Sequence, residues 1–319
     1  MRSASLAVQS TEHLTVLCIH VATQKVEYDV RMIQEFVNIG AKTTMRIGGQ
    51  AHYYAELETK DDVEAAVAFA REHEIPLIVL GGGSNTIFAD GVIEALVVRL
   101  KHDAVTVDGN VVRVGAAKNL PMLINELAKV NLDLSPLTGI LGTLGGAIFG
   151  NAGQGPTGVW IDQYLEEVTV LEEHEWRTFT VDQCGFAYRD SVFKSGPEPS
   201  PIIWEATLRL PTVHAKEIQS NIEALLKRRI ETQPHVKTAG SCFKAVGDTP
   251  AWKLIDAAGL RGKHVGDVQI AEKHANFLLN TGKATFEDAV RLVQKVKGQV
   301  TEELDVEMRF IGNDGALIF

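Results

Sequence analysis

The sequence has few cysteines and no long hydrophobic run. Three cysteines occur among 319 residues, and Cys18, Cys184 and Cys242 lie far apart, with no Cys-x-x-Cys pair. An odd, scattered set predicts neither a disulfide framework nor a zinc site, and it favours a reducing, cytoplasmic compartment. The longest apolar stretches, 75–80 and 95–98, are far shorter than the roughly 20 residues that cross a bilayer. We therefore expect no membrane-spanning segment.

Basic residues are also in short supply. The chain has 31 lysines and arginines against 41 aspartates and glutamates, which gives a formal net charge of −10. A chain this acidic is not expected to hold nucleic acid or anionic lipid by general electrostatic attraction. We therefore expect no nucleic-acid or membrane partner, and an anionic ligand must be held by a few local groups.

The residues that are present describe an ordinary globular protein. Hydrophobic residues make up 45% of the chain and charged residues 23%, enough apolar mass for a real core. The length exceeds the roughly 100–150 residues of a typical domain, so it predicts two or three folding units. Residues 1–31 lack the small-residue cleavage site of a secretory signal. We interpret them as an N-terminal extension of unknown role, with Met32 as an alternative start.

Apolar periodicity predicts alternating strands and helices from residue 32 onward. Helices are predicted at 59–73, 119–129, 216–230, 250–258 and 285–297. Strands are predicted at 75–80, 95–100, 104–107, 111–114, 167–171, 202–210, 242–244, 275–279 and 305–311. Asp108-Gly109-Asn110 is typical of a hairpin turn between two of them. After Pro211, roughly the last hundred residues indicate a separate α+β unit.

Two glycine-rich tracts are the first candidates for a binding site. Three glycines at 81–83 follow a strand-like segment, and backbone N–H groups in such a loop can converge on a phosphate. This loop has neither the dinucleotide fingerprint spacing nor the Lys-Ser/Thr of a P-loop, and by itself a tight turn explains it better. The tract at 139–155 leaves room for an extended ligand, with Thr143 and Asn151 as hydrogen-bonding groups, or forms a bulged strand. Together the two tracts favour a dinucleotide cofactor.

Polar residues in three other segments are candidates for chemistry. Arg189, between Tyr188 and Asp190, has the fork that binds a carboxylate, although such a triplet also forms surface ion pairs. Ser241 is not in the G-x-S-x-G turn of serine hydrolases, and we expect its neighbour Cys242 to be a buried small residue.

The last of these segments alternates polar and apolar residues. If 305–311 is a strand, Asp305, Glu307 and Arg309 share one face, opposite an apolar face. This polar face is either a functional group or a salt-bridged sheet surface. No His, Asp and Glu cluster has metal-ligand spacing.

Eight motifs, taken in order, resemble those of the UDP-N-acetylmuramate dehydrogenase family, also called the UDP-N-acetylenolpyruvoylglucosamine reductase family. The motifs are 43–49 (TTMRIGG), 80–85 (LGGGSN), 142–147 (GTLGGA), 151–153 (NAG), 188–191 (YRDS), 240–244 (GSCFK), 272–277 (EKHANF) and 307–312 (EMRFIG). Their order across residues 32–312 is far more specific than any single motif. The resemblance leaves residues 1–31 unexplained.

The resemblance implies a fold, a reaction and two cofactors. The fold is α+β: an FAD-binding fold of the vanillyl-alcohol-oxidase type at 32–212, with subdomains at about 32–100 and 101–212, followed by an α+β substrate-binding domain at 213–319. The reaction is the NADPH-dependent reduction, through FAD, of UDP-N-acetylglucosamine enolpyruvate, a step of peptidoglycan precursor synthesis. The implied partner is therefore a UDP-sugar enolpyruvyl ether, and we expect a monomer.

The resemblance also implies the site residues. Arg189, Ser241 and Glu307 take the catalytic positions, and Tyr188 and Lys244 contact the substrate. The residues implied to bind FAD are Arg46, Ile47, Gly81, Gly82, Gly83, Ser84, Asn85, Gly142, Thr143, Gly145, Gly146, Ala147 and Arg309. The chain departs from the family pattern at 244–246, where Lys-Ala-Val replaces Lys-Asn-Pro and removes a substrate-contacting Asn, and at Leu141, which replaces Pro.

Two other functions stay open at the level of the sequence. One is a related FAD-linked oxidase that acts on another small molecule. The other is a flavin-binding protein without catalytic activity.

Overall fold

The structure is a computed structural model that describes residues 33–154, 158–196 and 199–319. The expected N-terminal extension at 1–31, the alternative start at Met32 and the end of the second glycine tract at Gly155 lie outside the described residues.

Strands and helices alternate along the described chain. The strands are β1 (Gln34–Asn38), β2 (Gln50–Leu57), β3 (Leu77–Val79), β4 (Thr86–Phe88), β5 (Val92–Leu100), β6 (Val105–Asp108), β7 (Val111–Gly115), β8 (Leu165–Glu172), β9 (Glu175–Thr180), β10 (Ile202–Arg209), β11 (Thr238–Ser241), β12 (His264–Val265), β13 (Val268–Ile270), β14 (Phe277–Asn280) and β15 (Arg309–Ile311). The α helices are α1 (Lys60–Glu72), α2 (Leu120–Ala128), α3 (Leu144–Phe149), α4 (Val192–Ser195), α5 (Ala215–Thr232), α6 (Ala251–Ala257) and α7 (Phe286–Gln299).

The first sheet has the strand order β1-β2-β5-β3, with β5 parallel to both β2 and β3. Helix α1 packs against it through a buried stripe that includes Val63, Ala66 and Phe69. The helix begins where the sequence predicts, because Thr59 and Asp62 form a reciprocal capping box that satisfies two free N–H groups.

The second sheet is antiparallel, with the order β6-β7-β10-β8-β9. Its predicted hairpin is confirmed, because Asp108 pairs with Val111 across the turn. Helix α2 covers this sheet with Leu120, Leu123 and Leu127, all in one hydrophobic core with strand residues of the sheet.

The third sheet has the order β11-β14-β13-β12. Helices α6 and α7 pack on it through Ile255, Leu292 and Val293, which share one hydrophobic core with residues of this sheet. The three predicted helices of this segment, α5 to α7, are all present.

Two elements of the C-terminal segment join it to the rest of the chain. Strand β15 pairs in parallel with β4, Arg309 opposite Thr86. Helix α5 contributes Ile218 and Ile222 to the core of the second sheet. The boundary at 212/213 stays a prediction, and these contacts tie the segment beyond it to β4, in a separate two-stranded sheet, and to the core of the second sheet.

Three predictions about secondary structure are wrong in detail. The strand expected at 242–244 ends at Ser241, since the following backbone is held by Asn276, whose carbonyl and side chain accept from the N–H groups of Cys242 and Phe243. The strand expected at 305–311 is regular only over Arg309–Ile311. The bulged strand considered for the second glycine tract is instead helix α3, which begins after its N-cap Thr143.

Removal of its N-cap side chain should destabilise helix α7, which packs on the third sheet. Thr285 accepts from the Asp288 N–H at 3.1 Å and completes the capping box of α7. We expect Thr285→Ala to lower the free energy of unfolding by about 1 kcal/mol, the typical value for an N-cap, measured by urea denaturation. Thr301→Ala, at an exposed position after α7, is the control, and equal effects of the two changes would contradict the assignment.

Candidate active site

A large cleft of about 1910 Å³ is lined by residues from each of the three sheets described above. The glycine loop after β3, the tract that leads into α3, the segment around Arg189, helix α5 and the end of β11 all line it. Most of the predicted site residues, which are distant in sequence, therefore share one cavity.

The two glycine tracts contact each other directly at one side of the cleft. A Cβ added at Gly82 would lie 2.7 Å from the Gly142 Cα, and one added at Gly81 would lie 2.8 Å from the Thr143 Oγ1. Gly83 and Gly142 both have positive φ, +65° and +112°, which side-chain-bearing residues rarely adopt. Glycine is therefore required here both by space and by backbone conformation.

Hydrogen bonds fix the first glycine loop to its surroundings. Ser84 Oγ donates to the Leu141 carbonyl at 3.0 Å, which joins the loop to the second tract. Thr44 Oγ1 lies 3.2 Å from the Gly83 carbonyl and 2.6 Å from the Thr238 carbonyl, so it links the loop to β11. These bonds hold the loop in place as one wall of the cleft, which residues 81–85 line.

Asn85 connects this wall to the predicted catalytic residues. Its side-chain amide donates to the Glu307 carbonyl at 3.3 Å, and its own carbonyl accepts from the Arg309 N–H at 2.9 Å. The Arg309 guanidinium lies 5.0 Å from the Phe149 ring centre and lines the cleft. The pairing of β15 with β4 thus carries Glu307 and Arg309 to the glycine loop.

Arg189 and Glu307 meet inside the cleft. Arg189 Nε lies 3.3 Å from Glu307 Oε1, and both side chains are largely buried, with 19% and 16% exposed. Arg189 Nη2 also donates to the Gly153 carbonyl at 2.8 Å. The backbone of Arg189 is left-handed, with φ +57°, a conformation that costs energy for a residue with a side chain and is often found at functional sites.

The environment of Glu307 raises its pKa. Burial disfavours the charged carboxylate and raises the pKa, while the positive charges of Arg189, Lys194 and Lys244 act in the opposite direction. A carboxyl group with raised pKa in a cleft is typical of a functional site.

Ser241 lies at the end of β11, next to Glu307. It lines the cleft and follows Gly240, which has φ +78°. The neighbouring Cys242 carbonyl accepts from the Glu307 N–H at 2.8 Å, so the two segments are joined at this point. Cys242 is fully buried and free, as expected of a small core residue, and burial raises the pKa of its thiol.

The two residues predicted to contact substrate are placed differently. Tyr188 lines the cleft, and its hydroxyl accepts from the Ala245 N–H at 3.4 Å. Lys244 is not among the cleft-lining residues, although its charge acts on Glu307.

Three other predicted residues do not present their side chains to the cleft. Arg46 is exposed and donates to the Ala41 carbonyl, and Ile47 is buried in the hydrophobic core of the third sheet. Their roles toward FAD stay predictions. Asn151, expected to face a ligand, is 2% exposed and donates to Asp162 Oδ2 and to the Ala187 carbonyl. It supports the loop that carries Arg189.

Two basic side chains that line the cleft were not predicted from the sequence. Lys194 and Arg229 both line the cavity, and burial lowers the pKa of both side chains. Arg229 Nη1 donates to the Gly139 carbonyl at 2.6 Å, while its buried Nε has no hydrogen-bond partner. Arg229 stands beside the exposed Arg228 in a basic helical run, and nothing in the sequence distinguishes the two.

Neither a metal site nor a membrane span is found in the part of the chain that the structure describes. No group of three or more His, Cys, Asp or Glu side chains there is arranged to hold a metal ion. None of the described helices combines the length and hydrophobicity needed to traverse a bilayer.

Comparisons with known proteins agree with this architecture. Residues 51–174 match an FAD-binding-domain model, and residues 233–310 match the model of the UDP-N-acetylenolpyruvoylglucosamine reductase C-terminal domain. A UDP-N-acetylenolpyruvoylglucosamine reductase from Desulforamulus reducens is 34% identical over 281 residues, covering 85% of this chain and 91% of the relative. The chain belongs to the UDP-N-acetylenolpyruvoylglucosamine reductase family.

Further members of the reductase family support the same assignment. The Gluconobacter oxydans protein of that name is 37% identical over 279 residues, covering 85% of this chain and 88% of the relative. The crystal structure of UDP-N-acetylenolpyruvylglucosamine reductase from Thermus caldophilus superimposes with a TM-score of 0.76 at 32% identity, covering 87% of this chain and 99% of that chain. The predicted α+β FAD-binding fold and FAD as cofactor are confirmed.

The residues present fit FAD. The two abutting glycine tracts form a cradle in which any side chain at Gly82 would collide with the backbone of Gly142. The glycine loop and Arg309 line the cleft, so backbone N–H groups of the loop and the Arg309 guanidinium would be the groups to hold the pyrophosphate, without net basic charge on the protein. The individual FAD contacts stay predictions.

Proposed function

We propose that this protein catalyses the NADPH-dependent reduction of UDP-N-acetylglucosamine enolpyruvate to UDP-N-acetylmuramate, with FAD as cofactor, in peptidoglycan precursor synthesis. The observation that carries the proposal is the buried pair of Arg189 and Glu307 in the cleft that also contains Ser241 and the glycine cradle. Membership of the reductase family supports the substrate.

The three residues have separate roles in the proposed reaction. When bound, FAD supplies hydride-transfer chemistry. Hydride delivery to the terminal carbon of the enolpyruvyl group would place negative charge on the middle carbon and, through it, on the carboxylate that this carbon bears. The Arg189 guanidinium would stabilise that charge in a site of reduced water access. The Ser241 hydroxyl donates the proton that the carbon next to the carboxylate requires.

Glu307 orients the other groups. Its carboxyl group holds Arg189 at 3.3 Å, and its backbone is bonded to the segments that carry Ser241 and Asn85. Its raised pKa brings the proton-bearing form closer to neutral pH, so Glu307 can donate a hydrogen bond to the substrate carboxylate.

Arg229 is the group that we assign to the substrate's diphosphate. It lines the cleft from α5 and has a buried, unpartnered Nε. We expect Arg229→Met to raise KM about 10- to 100-fold with little change in kcat, because hydrogen bonds to charged groups contribute roughly 1.5–3 kcal/mol. Arg228→Met, at the exposed neighbouring position, should leave KM unchanged; a matching rise there, or a fall confined to kcat in Arg229→Met, would contradict the assignment.

An absorbance experiment tests the proposed function. The purified protein should show a flavin spectrum that NADPH bleaches under anaerobic conditions and that UDP-N-acetylglucosamine enolpyruvate restores. No flavin band, or no reoxidation by this substrate, would overturn the proposal. Reoxidation by oxygen with another substrate would indicate a related FAD-linked oxidase, and flavin without turnover would indicate a binding protein.

We also propose that the enzyme is a cytoplasmic monomer. The free, buried Cys184 and Cys242 support a reducing compartment. Size-exclusion chromatography with light scattering tests the oligomeric state; a mass twice that of the chain would contradict it.

A further inference from the structure

Lys194 lies directly beneath the Arg189 turn. It belongs to the short helix α4, and its Nζ donates to the Arg189 carbonyl at 2.9 Å. This carbonyl belongs to the residue with the left-handed backbone, φ +57°. A charge-assisted hydrogen bond at that carbonyl stabilises a backbone conformation that costs energy for a residue with a side chain.

The ammonium group also faces the carboxyl group of the site. Lys194 lines the cleft, and its charge acts on Glu307 together with those of Arg189 and Lys244. Asp190 faces Lys194 as well. Among the described residues, no carboxylate oxygen lies within 4.0 Å of Lys194 Nζ, so its positive charge is not neutralised by a direct ion pair.

Resting on the proposed function, we propose that Lys194 is a positioning residue of the reductase. Its hydrogen bond holds the Arg189 backbone so that the guanidinium reaches Glu307, and its positive charge limits the rise that burial causes in the Glu307 pKa. Lys194 therefore acts through Arg189 and Glu307.

If Lys194 positions Arg189, its loss should affect the two half-reactions of the enzyme differently. We expect Lys194→Met to retain the flavin spectrum and to be reduced by NADPH within about twofold of the wild-type rate. Reoxidation of the reduced flavin by the enolpyruvyl substrate should slow at least tenfold, since misplacement of a catalytic group by about 1 Å can lower a rate 100-fold. Lys129→Met, at an exposed position after α2, should match the wild type in both steps.

Titration of Glu307 provides a readout that needs no substrate. In Lys194→Met the Glu307 pKa should rise, because a nearby cation that favours the carboxylate is lost. Lys194→Arg keeps the charge, so its Glu307 pKa should stay near the wild-type value. The pKa can be followed by NMR of carbon-labelled glutamate, with Glu307→Gln identifying the signal.

The outcomes distinguish this inference from the proposed function. Failure of the wild-type enzyme to be reoxidised by the enolpyruvyl substrate overturns the function, while an unchanged Glu307 pKa in Lys194→Met overturns the role of Lys194. Wild-type reoxidation by Lys194→Met also overturns it. If Lys194→Met does not fold, Lys194→Gln removes the charge, retains a donor to the Arg189 carbonyl and must show the same rise in pKa.

Discussion

Ser241→Ala is expected to lower kcat about 10²- to 10⁴-fold, the range that a positioned general acid contributes. Ser241 lines the cleft at the end of β11, beside the segment that carries Glu307. Without its hydroxyl, no assigned group donates the proton to the carbon next to the carboxylate. Reduction of the flavin by NADPH requires no such proton and should keep its wild-type rate.

Stopped-flow absorbance separates the two steps for this variant. Anaerobic mixing with NADPH measures reduction, and subsequent mixing with the enolpyruvyl substrate measures reoxidation. Ser220→Ala, on the exposed face of α5, is the matched control and should behave as wild type. Wild-type reoxidation by Ser241→Ala would remove Ser241 from its proposed role, and slowed reduction would place it in a different step.

Local elements were predictable because their determinants are local. The turn at Gly109 and Asn110 and the capping box that begins with Thr59 are each specified by a few adjacent residues. The two glycine tracts indicated a dinucleotide cofactor, since a glycine has no side chain and lets a ligand approach the backbone in any fold. Each tract by itself also fitted a turn or a bulged strand, and their direct contact is a tertiary feature.

The proposed catalytic pair, Arg189 and Glu307, was not predictable from spacing. Glu307 reaches the cleft and Arg189 because β15 pairs with β4, a strand more than 200 residues earlier in the chain. No periodicity in the sequence specifies that pairing. The resemblance to a family supplied both residues. It did not supply Lys194 or Arg229, whose burial depends on how α4 and α5 pack against the cleft. The strand predicted at 242–244 failed for a related reason, because the Asn276 side chain replaces a ladder partner there.

Gly82→Ala should abolish or greatly weaken FAD binding, with dissociation at least about tenfold more favourable, or 1.4 kcal/mol. The new Cβ would lie 2.7 Å from the Gly142 Cα. The Gly142 Cα is a backbone atom and the position of the new Cβ is fixed by its own backbone, so neither can rotate away, and one glycine loop must move. Because Ser84 and Thr44 bond the first loop to Leu141 and Thr238, such a movement disturbs the whole cradle.

The matched control for this prediction is Gly298→Ala. A Cβ there meets nothing within 4 Å, and the residue lies in helix α7, where alanine is favoured over glycine by roughly 1 kcal/mol. The control should bind FAD as wild type and unfold at a slightly higher temperature. Flavin fluorescence on titration of the apoprotein measures both affinities. Wild-type affinity in Gly82→Ala would mean that the cradle tolerates a methyl group. In that case the close approach of the two loops is not what forms the cofactor site, and the assignment of FAD to these tracts would fail together with it.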